Sequence, residues 1–316
     1  MPRMNIREMN NQRAWNDFLL RVNPNTFLHA WEWGQVQRRA GEEVLYLGVF
    51  ERNTLVGVCL AITVKARRGR HLLVPHGPIF RTEAETRKYL PALAGYLEGI
   101  ARVSEQWPLV ALRVSPLLEA TYTNVQLFRR LGFSDAPMHV HAEITWVLDI
   151  DKPEEEILTD MRKTSRHAIK KAQDSGVTTL TAPGTPAVDD FMPLYEKTKQ
   201  RHDFVPYSRK MIESQVDIFN ESGRPDVGAY LVFAQYQGKD VAGGIFFQFG
   251  KTVFYYHGAS MKVAGADGAA QLLQWEAIKE AKRRGATRFN FWGIAPDSAP
   301  GAESGKKHPF AGITTF

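Results

Sequence analysis

The stretch "GAYLVFAQYQGKDVAGGIFFQFGKTVFYYHGAS", residues 228–260, decides the fold because it contains three strand-like runs in succession. β-Branched and aromatic residues dominate the runs "GAYLVFAQ", "VAGGIFFQFG" and "TVFYYHGAS", and short polar turns separate them. Strands joined by turns this short pair antiparallel. The stretch therefore predicts a three-stranded antiparallel meander.

The residues around the meander extend it into a unit that occurs twice. Helical spacing covers residues 153–173, 188–201 and 209–219 before the meander; a helix at about 267–284 and the strand "TRFNFWGI" follow it. The first half shows the same order, with helices at 13–20 and 31–39, the strands "EEVLYLGVF", "LVGVCLAITVKA" and "HLLVPHGPIF", a helix at about 83–105, the strand "LVALRV" and the short helix "TNVQLFRRLG". Tyr46, Gly57 and His76-Gly77 match Tyr230, Gly243 and His257-Gly258.

Helices, a meander, a helix and a strand are the order of the acyl-CoA N-acyltransferase (GNAT) fold. The sequence therefore predicts an α/β (α+β) protein formed by tandem duplication of a GNAT-like fold, with mixed, mostly antiparallel sheets flanked by helices. The predicted domains are residues 1–143 and 144–316, with the boundary just before the strand "ITWVLDI". The alternative is one large α/β domain with chance similarities between its halves.

Composition limits the class of protein. The chain has 316 residues, 44% of them hydrophobic, which excludes a disordered chain. Its net charge of +6 suits an anionic partner. Cys59 is the only cysteine, so no intrachain disulfide or cysteine-based metal site can form. The longest apolar run, Leu55 to Val64, is half of the ~20 residues a membrane helix needs. These features predict a soluble, cytoplasmic protein.

One strip is strongly basic: "MRKTSRHAIKKAQDSGV", residues 161–177. On a helix, Arg162, Arg166 and Lys170 fall at four-residue intervals, and Lys163 and Lys171 lie in the neighbouring row. Like charges this close repel one another unless an anionic ligand such as a nucleic acid or a diphosphate is bound. The alternative is a solvated face neutralised by acidic neighbours such as residues 154–156.

The loop before the last helix bears on the acyl donor. GNAT enzymes usually carry Arg/Gln-x-x-Gly-x-Gly/Ala there, because bare backbone amides at a helix start can hold a pyrophosphate. Here the loop is "KVAGADGAA", in which Lys262 replaces the leading residue and Asp267 adds a carboxylate. Asp267 is predicted to cap the helix instead. The first half has "FRTEAE", without glycine. A coenzyme A donor is therefore disfavoured.

Five segments together resemble the FemABX family of peptidyltransferases: "FLHAWEWGQVQRRAG", "HGPIF", the basic strip, "FYYHGAS" and "LLQWEAIKEAKRRGATRFNFWGI". The resemblance spans nearly the whole chain. It implies two tandem acyltransferase-like domains that move an amino acid from aminoacyl-tRNA to the stem peptide of a peptidoglycan precursor. Residues 191–219 are too few for the helical arm of some members, which implies an armless type.

The resemblance also implies site residues. The tRNA-binding set is Arg162, Lys163, Arg166, Lys170 and Lys171. The substrate-binding set is Trp33, Gln37, Pro78, Arg113, Tyr207, Arg209, Tyr255, Tyr256 and Ser260. Strand alternation predicts that Tyr255 and His257 share one face of the sheet and that Tyr256 lies on the other. Family members commonly use a late Phe-Lys pair, and "HPFAGITTF" resembles the approach to it but stops at Phe316. Either the sequence is shortened there or this member lacks the lysine, in which case His257 and His308 are the catalytic candidates.

The implied partners are aminoacyl-tRNA as co-substrate, and UDP-MurNAc-pentapeptide or lipid II as acceptor. The acceptor side is expected in the first domain and the donor side in the second. Peripheral contact with the inner membrane surface is a further expectation, and no cofactor is implied. Two other functions stay open: an acetyl-CoA-dependent N-acetyltransferase and a non-catalytic RNA-binding module. The transferred amino acid and the oligomeric state are left undetermined.

Overall fold

The computed structural model describes residues 4–66, 69–103, 109–136, 140–142, 144–202 and 205–294. The chain divides into two compact units, Met1–His141 (unit 1) and Ala142–Phe316 (unit 2). The boundary predicted from sequence falls after residue 143. Each unit is built around one six-stranded sheet.

Unit 1 begins with a strand and two helices and continues with the first meander. Its elements are β1 (Met4–Glu8), α1 (Gln12–Leu19), a 3-10 turn (Phe27–His29), α2 (Trp31–Arg39), β2 (Val44–Glu51), β3 (Thr54–Ala66), β4 (Gly69–Val74), β5 (Ile79–Phe80), α3 (Glu83–Val103), β6 (Leu109–Val114) and α4 (Tyr122–Arg130). The strand order is β1-β2-β3-β4-β6, with β5 on β3. All pairs are antiparallel except β4 with β6.

The sheet of unit 1 is buried on both faces because its strands carry apolar residues on both sides. Leu47 and Val49 of β2 pack into the core that includes Leu93 of α3. Tyr46, the residue before Leu47, points the other way: its hydroxyl donates to the Trp31 carbonyl oxygen of α2 at 2.8 Å. The sheet is therefore sandwiched between α3 on one side and α2 on the other.

Unit 2 repeats this order with additional elements. They are β7 (Thr145–Asp149), α5 (Glu154–Asp160), α6 (Lys163–Asp174), β8 (Thr178–Pro183), α7 (Pro186–His202), α8 (Arg209–Asn220), β9 (Val227–Tyr236), β10 (Lys239–Phe249), β11 (Thr252–Ser260), α9 (Ala269–Arg283) and β12 (Arg288–Gly293). The strand order is β7-β12-β11-β10-β9-β8. Only β11 and β12 pair parallel among the strands of this sheet that the structure describes.

Helices also cover both faces of the second sheet. Tyr230 stacks on Phe246 at 5.2 Å and donates its hydroxyl to the Ala277 carbonyl of α9 at 3.2 Å. On the opposite face, Phe247 meets Phe219 of α8 edge-on at 4.9 Å. Side chains of α7 lie against Gly243 of β10, where a Cβ would crowd them. Thus α9 packs on one face, while α7 and α8 pack on the other.

The predicted fold class is confirmed: each unit contains helices, an antiparallel meander, a helix and a final strand parallel to the third. Strands β1 and β8 were not predicted, because five or six residues with mixed polarity give little periodicity. No helix in the described ranges is both long and apolar enough to span a bilayer.

The helix predicted over residues 153–173 is wrong, because the chain forms two helices there. Met161 and Arg162 are extended, with ψ of 151° and 141°. The Arg166 guanidinium then reaches back and donates to the carbonyl oxygens of Thr159 at 2.6 Å and Met161 at 2.5 Å. These bonds satisfy carbonyl groups that the end of α5 leaves without helical partners.

The residue-by-residue matches between the halves are weaker than the match of element order. Tyr46 faces α2, whereas Tyr230 faces α9, so the two tyrosines lie on non-equivalent faces. His76 follows β4 in a turn with φ of +46°, whereas His257 lies within β11. The two units therefore share their architecture, but at two of the matched positions the identical residue types lie in non-equivalent places.

Candidate functional site

The two parallel strands of unit 2 separate partway along the sheet. They pair from Thr252↔Arg288 to Phe254↔Asn290, and the next partner of β12 is on β7, Gly293↔Thr145. The Asn290 Oδ1 accepts from the Trp292 backbone N–H at 2.8 Å, and Trp292 has φ of +69°. The edge of β11 beyond Phe254 is consequently not paired with β12.

The equivalent strands of unit 1 stay together. Strand β4 pairs with β6 from Arg70↔Leu109 to Val74↔Val114, and the Ser115 N–H donates to the Val74 carbonyl at 3.1 Å beyond that. Of the two parallel pairs in the described ranges, only that of unit 2 opens. The candidate site is therefore the open edge of β11.

A β-bulge divides the aromatic residues of β11 between the two faces of the sheet. Ile245 is opposite His257 and Phe246 is opposite Tyr255, so Tyr256 is an extra residue without its own partner. Tyr255 stacks on Phe246 at 5.2 Å on the α9 face. The His257 ring lies on the α7 face, where its centroid is 6.1 Å from that of the Tyr195 ring. The prediction that Tyr255 and His257 share a face is wrong, because alternation does not hold across a bulge.

On the α7 face the structure brings together two of the predicted substrate residues. The hydroxyls of Tyr207 and Tyr256 are 3.2 Å apart, and Tyr207 is 40% exposed. Trp292 meets the Tyr256 ring edge-on at 5.1 Å. Two phenol hydroxyls thus lie at the open edge, where they can donate to or accept from a polar ligand.

His257 lies behind this pair and is held in a neutral state. It is 4% exposed, and its Nε2 is 2.7 Å from the Gln215 Oε1, an acceptor, so Nε2 carries the proton. Burial lowers the pKa of His257 to about 3. A group this weakly basic is a poor proton acceptor near neutral pH. The structure thus favours a structural role for His257, and its predicted catalytic role is left without support from its surroundings.

On the α9 face, Tyr255 is held by a residue that the sequence did not point to. Gln274 of α9, 7% exposed, acts on the Tyr255 hydroxyl and partly offsets the rise that burial gives its pKa. The Gln274 Oε1 is buried without a hydrogen-bond partner in the described structure. The Tyr255 hydroxyl lies against the Cα of Gly258, where a Cβ would overlap it.

Two other predicted substrate residues are already engaged by the protein. The Ser260 carbonyl accepts from Arg201 Nη2 at 2.6 Å, and the Ser260 N–H donates to Thr198 Oγ1 at 3.0 Å. Arg209 pairs with Asp189 and, at 2.8 Å, with Glu213. The prediction of Arg209 as a substrate-binding cation is corrected, because two carboxylates neutralise it.

The five cations of the basic strip fall into two groups. Arg166 caps α5, and Lys171 pairs with Asp267 at 2.8 Å. Arg162, Lys163 and Lys170 are exposed and have no ion pair or hydrogen-bonded side-chain partner in the described part of the chain. Arg162 is the N-cap residue and precedes the first turn of α6. The predicted ridge is therefore reduced to these three cations.

The loop before α9 is not arranged as a phosphate cradle. The predicted cap, Asp267, is wrong: the N-cap is Gly268, which has φ of +84° and makes no side-chain bond. A Cβ on Gly268 would overlap the Ala168 carbonyl of α6, so α6 packs directly on the loop. Lys171 holds the pKa of Asp267 below its usual value, and this carboxylate remains charged near the helix start.

In unit 1, two of the four predicted residues are part of the core. Trp33 is 4% exposed and meets Phe27 edge-on at 5.6 Å, and Pro78 is buried. These two predictions are corrected, because neither side chain offers a surface to a ligand. Gln37 is half-buried on α2, and Arg113 is half-buried on β6.

Arg113 has buried histidines as neighbours. Burial, reinforced by the charge of Arg113, lowers the pKa of His141 to about 4. Burial together with the neighbouring histidines lowers the pKa of His76 to about 3. The described residues contain no group of three or more His, Cys, Asp or Glu side chains arranged to hold a metal ion. His308 lies outside the described residues, and its role stays a prediction.

Sequence reasoning missed Gln215, Gln274 and Trp292. The glutamines sit on the buried faces of α8 and α9, among apolar residues at helical spacing, and a polar residue in such a stripe was the available signal. Trp292 belongs to the predicted strand "TRFNFWGI", and nothing in the sequence indicates its left-handed backbone.

Comparison with known proteins supports the architecture. Residues 159–303 match the model of the acetyltransferase (GNAT) domain. The chain is similar to the crystal structure of FemX, with a TM-score of 0.79 and 16% identity over 98% of this chain and 92% of that chain. It is also similar to a tandem GNAT protein from the clavulanic acid biosynthesis pathway, with a TM-score of 0.55 and 10% identity over 96% of this chain and 93% of that chain.

A third similar structure is L-PGS from Bacillus licheniformis, with a TM-score of 0.50 and 12% identity over 76% of this chain and 69% of that chain. No sequence among the curated proteins matches. At these identities the likeness is one of fold. The fold of the chain, two GNAT-like units in tandem, is similar to that of FemX.

Proposed function

We propose that this chain is an acyltransferase that moves an amino acid from aminoacyl-tRNA to an amine of a peptidoglycan stem peptide. One observation carries the proposal. Unit 2 retains the open strand edge of an acyltransferase, yet the loop that would hold a coenzyme A pyrophosphate carries Asp267 and packs against α6. This combination supports acyl transfer from a donor other than coenzyme A.

The basic residues of α6 support a larger polyanion as that donor. Arg162, Lys163 and Lys170 are exposed on the same unit as the open edge. Cations of this kind bind nucleic-acid phosphates without reading the base sequence. The FemX-like fold and the sequence motifs of the FemABX type support tRNA as the polyanion and the stem peptide as the acceptor.

The chemistry asks little of the protein because the ester of aminoacyl-tRNA is already activated. The amine nitrogen attacks the ester carbonyl carbon, the C–N bond forms, and the carbonyl electron pair moves to oxygen. Collapse of this intermediate breaks the ester C–O bond, and the ribose oxygen leaves with the proton lost by the amine. The enzyme supplies positioning and donors for the oxyanion.

On this proposal, the Tyr207 and Tyr256 hydroxyls bind polar groups of a substrate at the open edge. Gln37 and Arg113 of unit 1 remain the predicted contacts of the acceptor. The acceptor is UDP-MurNAc-pentapeptide or, if the protein works at the inner membrane surface, lipid II. The reaction would take place in the cytoplasm, where charged tRNA is made, and would need no cofactor.

The proposal is tested by supplying labelled glycyl-, alanyl- or seryl-tRNA with UDP-MurNAc-pentapeptide or lipid II. We expect label in the stem peptide from at least one pair. Labelled acetyl-CoA with the same acceptors is the comparison, and it should transfer nothing. Label from acetyl-CoA alone would establish the N-acetyltransferase function instead. Salt-dependent tRNA binding without transfer from any donor would establish a non-catalytic RNA-binding module.

A further inference from the structure

The α9 face of the open edge contains a polar pair that the proposed reaction has not yet used. Tyr255 is half-buried, and its ring is fixed by stacking on Phe246 at 5.2 Å. Its hydroxyl lies over Gly258, which has no side chain to cover it. The hydroxyl therefore has a defined position on the part of β11 that β12 leaves unpaired.

Gln274 completes the pair and determines what the hydroxyl can do. Gln274 opposes the rise that burial gives the pKa of Tyr255, and this is the effect of an amide donor, Nε2, that faces the Tyr255 oxygen. The hydroxyl proton of Tyr255 is then left to donate elsewhere. Burial raises the pKa of Tyr255 to about 12, so this proton is present throughout the neutral range.

The unpartnered Gln274 Oε1 is the second half of the argument. Buried polar atoms in folded proteins are nearly always hydrogen-bonded, so an exception indicates a position where a ligand can bind. Oε1 belongs to the same amide as the nitrogen that holds Tyr255, so it lies next to the hydroxyl. The final torsion of glutamine is broad, so rotation about it can reorient Oε1 toward a ligand. A ligand that satisfies both groups must present an acceptor and a donor side by side.

We propose that Tyr255 and Gln274 form the subsite for an α-aminoacyl group, with the Tyr255 hydroxyl donating to the ester carbonyl oxygen and the Gln274 Oε1 accepting from the α-ammonium. An α-aminoacyl ester presents these two groups on adjacent carbons. An acetyl or other simple acyl group lacks the nitrogen and leaves Oε1 unpaired. This inference rests on the proposed function and adds the residues that select an aminoacyl donor over a plain acyl donor.

The subsite also assigns Tyr255 a part in the chemistry. As the amine adds to the carbonyl carbon, negative charge develops on the carbonyl oxygen that Tyr255 contacts. A positioned donor stabilises this oxyanion more than the ground-state carbonyl. Gln274 contacts the ammonium in both states, so it acts on donor selection and positions Tyr255.

The test compares donors that differ only in the α-nitrogen: alanyl- with propionyl-tRNA, and glycyl- with acetyl-tRNA. We expect wild-type protein to prefer the aminoacyl member by tenfold or more in kcat/KM, because a site with a buried acceptor rejects a ligand without the donor. Gln274→Met should lower aminoacyl transfer about tenfold and change des-amino transfer less than about twofold. Gln274→Glu retains an acceptor and should keep the preference.

Gln271→Met is the matched control, since Gln271 lies on the same helix one turn earlier and is only half-buried. It should leave both donors unchanged. Tyr255→Phe keeps the stacked ring and should lower kcat for both donors by about 10- to 100-fold.

A wild-type protein that uses propionyl- and alanyl-tRNA equally well would overturn the inference without any variant. So would a Gln274→Met protein that loses both donors in equal proportion. Absence of transfer from every donor would instead overturn the proposed function, and the subsite with it.

Discussion

His257 shows how the surroundings of a residue can reverse the expectation that its type creates. A histidine beside tyrosines in a strand suggests a general base. In the structure it is enclosed by Tyr195, Tyr207 and Gln215, and its pKa falls to about 3 because of burial. The sequence identified the residue but could not indicate its enclosure, which depends on α7 and α8 packing over β11.

The enclosure of His257 predicts a loss of stability in mild acid. The folded state holds the imidazole neutral down to a pKa of about 3, whereas the unfolded chain takes up the proton near pH 6.5. Its contribution to stability is therefore complete above pH 6.5 and declines as the pH falls toward 3. The free energy of unfolding should drop by up to ~1.4 kcal/mol per pH unit for each such histidine.

Urea denaturation between pH 7 and 4.5 measures this slope. His257→Gln should make the slope shallower by about one proton. His167→Gln, on the exposed surface of α6, is the matched control for the loss of a histidine. Equal slopes in wild type and His257→Gln would contradict the enclosure.

At the scale of elements, α6 packs on the loop before α9 and occupies the space beside Gly268. The sequence "KVAGADGAA" predicts a degenerate phosphate loop with Asp267 as the helix cap. The element order and most helix bounds were predictable because periodicity is a local property. The cap and the broken helix at Met161 were not, since they depend on the Arg166 and Lys171 contacts with other segments.

This packing predicts an unequal response to alanine at two glycines. Gly268 and Gly176 have nearly the same φ, +84° and +85°, but only Gly268 has a backbone carbonyl in the place of a Cβ. Gly176→Ala should lower the free energy of unfolding by about 1 kcal/mol because of backbone strain. Gly268→Ala should lower it by about 2 kcal/mol more than Gly176→Ala, because α6 must move away from the new Cβ.

Thermal unfolding of the two alanine variants compares the costs. Lys171→Ala is a useful companion, since it removes the exposed ion pair with Asp267 without moving α6 and should have little effect on stability. Similar melting temperatures for Gly268→Ala and Gly176→Ala would show that α6 does not press on the loop.

At the scale of the whole molecule, the net charge of +6 is less informative than its placement. The tandem GNAT-like fold followed from the repeated element order, and the structure confirms it. The sequence could not show that, of the strip's five cations, Arg162, Lys163 and Lys170 are the ones left without a side-chain partner among the residues that the structure describes. Nor could it show which unit opens its sheet, because that depends on where strands part.

Charge reversal tests whether these three cations bind tRNA. Glutamate at all three positions should weaken tRNA binding at least tenfold at ~0.1 M salt and reduce the slope of log K against log salt by about two to three. The measurement is a titration with labelled tRNA at several salt concentrations. Reversal of Lys197, Lys210 and Lys239 changes the net charge by the same amount at exposed positions elsewhere on unit 2, and it should leave the slope nearly unchanged.

The contrast between the sealed strand pair of unit 1 and the parted pair of unit 2 has a consequence for how the two halves tolerate sequence change. Along β4 and β6, a replacement that keeps side-chain volume and β-propensity is sufficient for the paired strands to fold. Along β11 past Phe254, the same replacement must also preserve a gap and the hydroxyls that border it. A saturation library scored once for folding and once for turnover should therefore give coincident maps in the first half and divergent maps in the second.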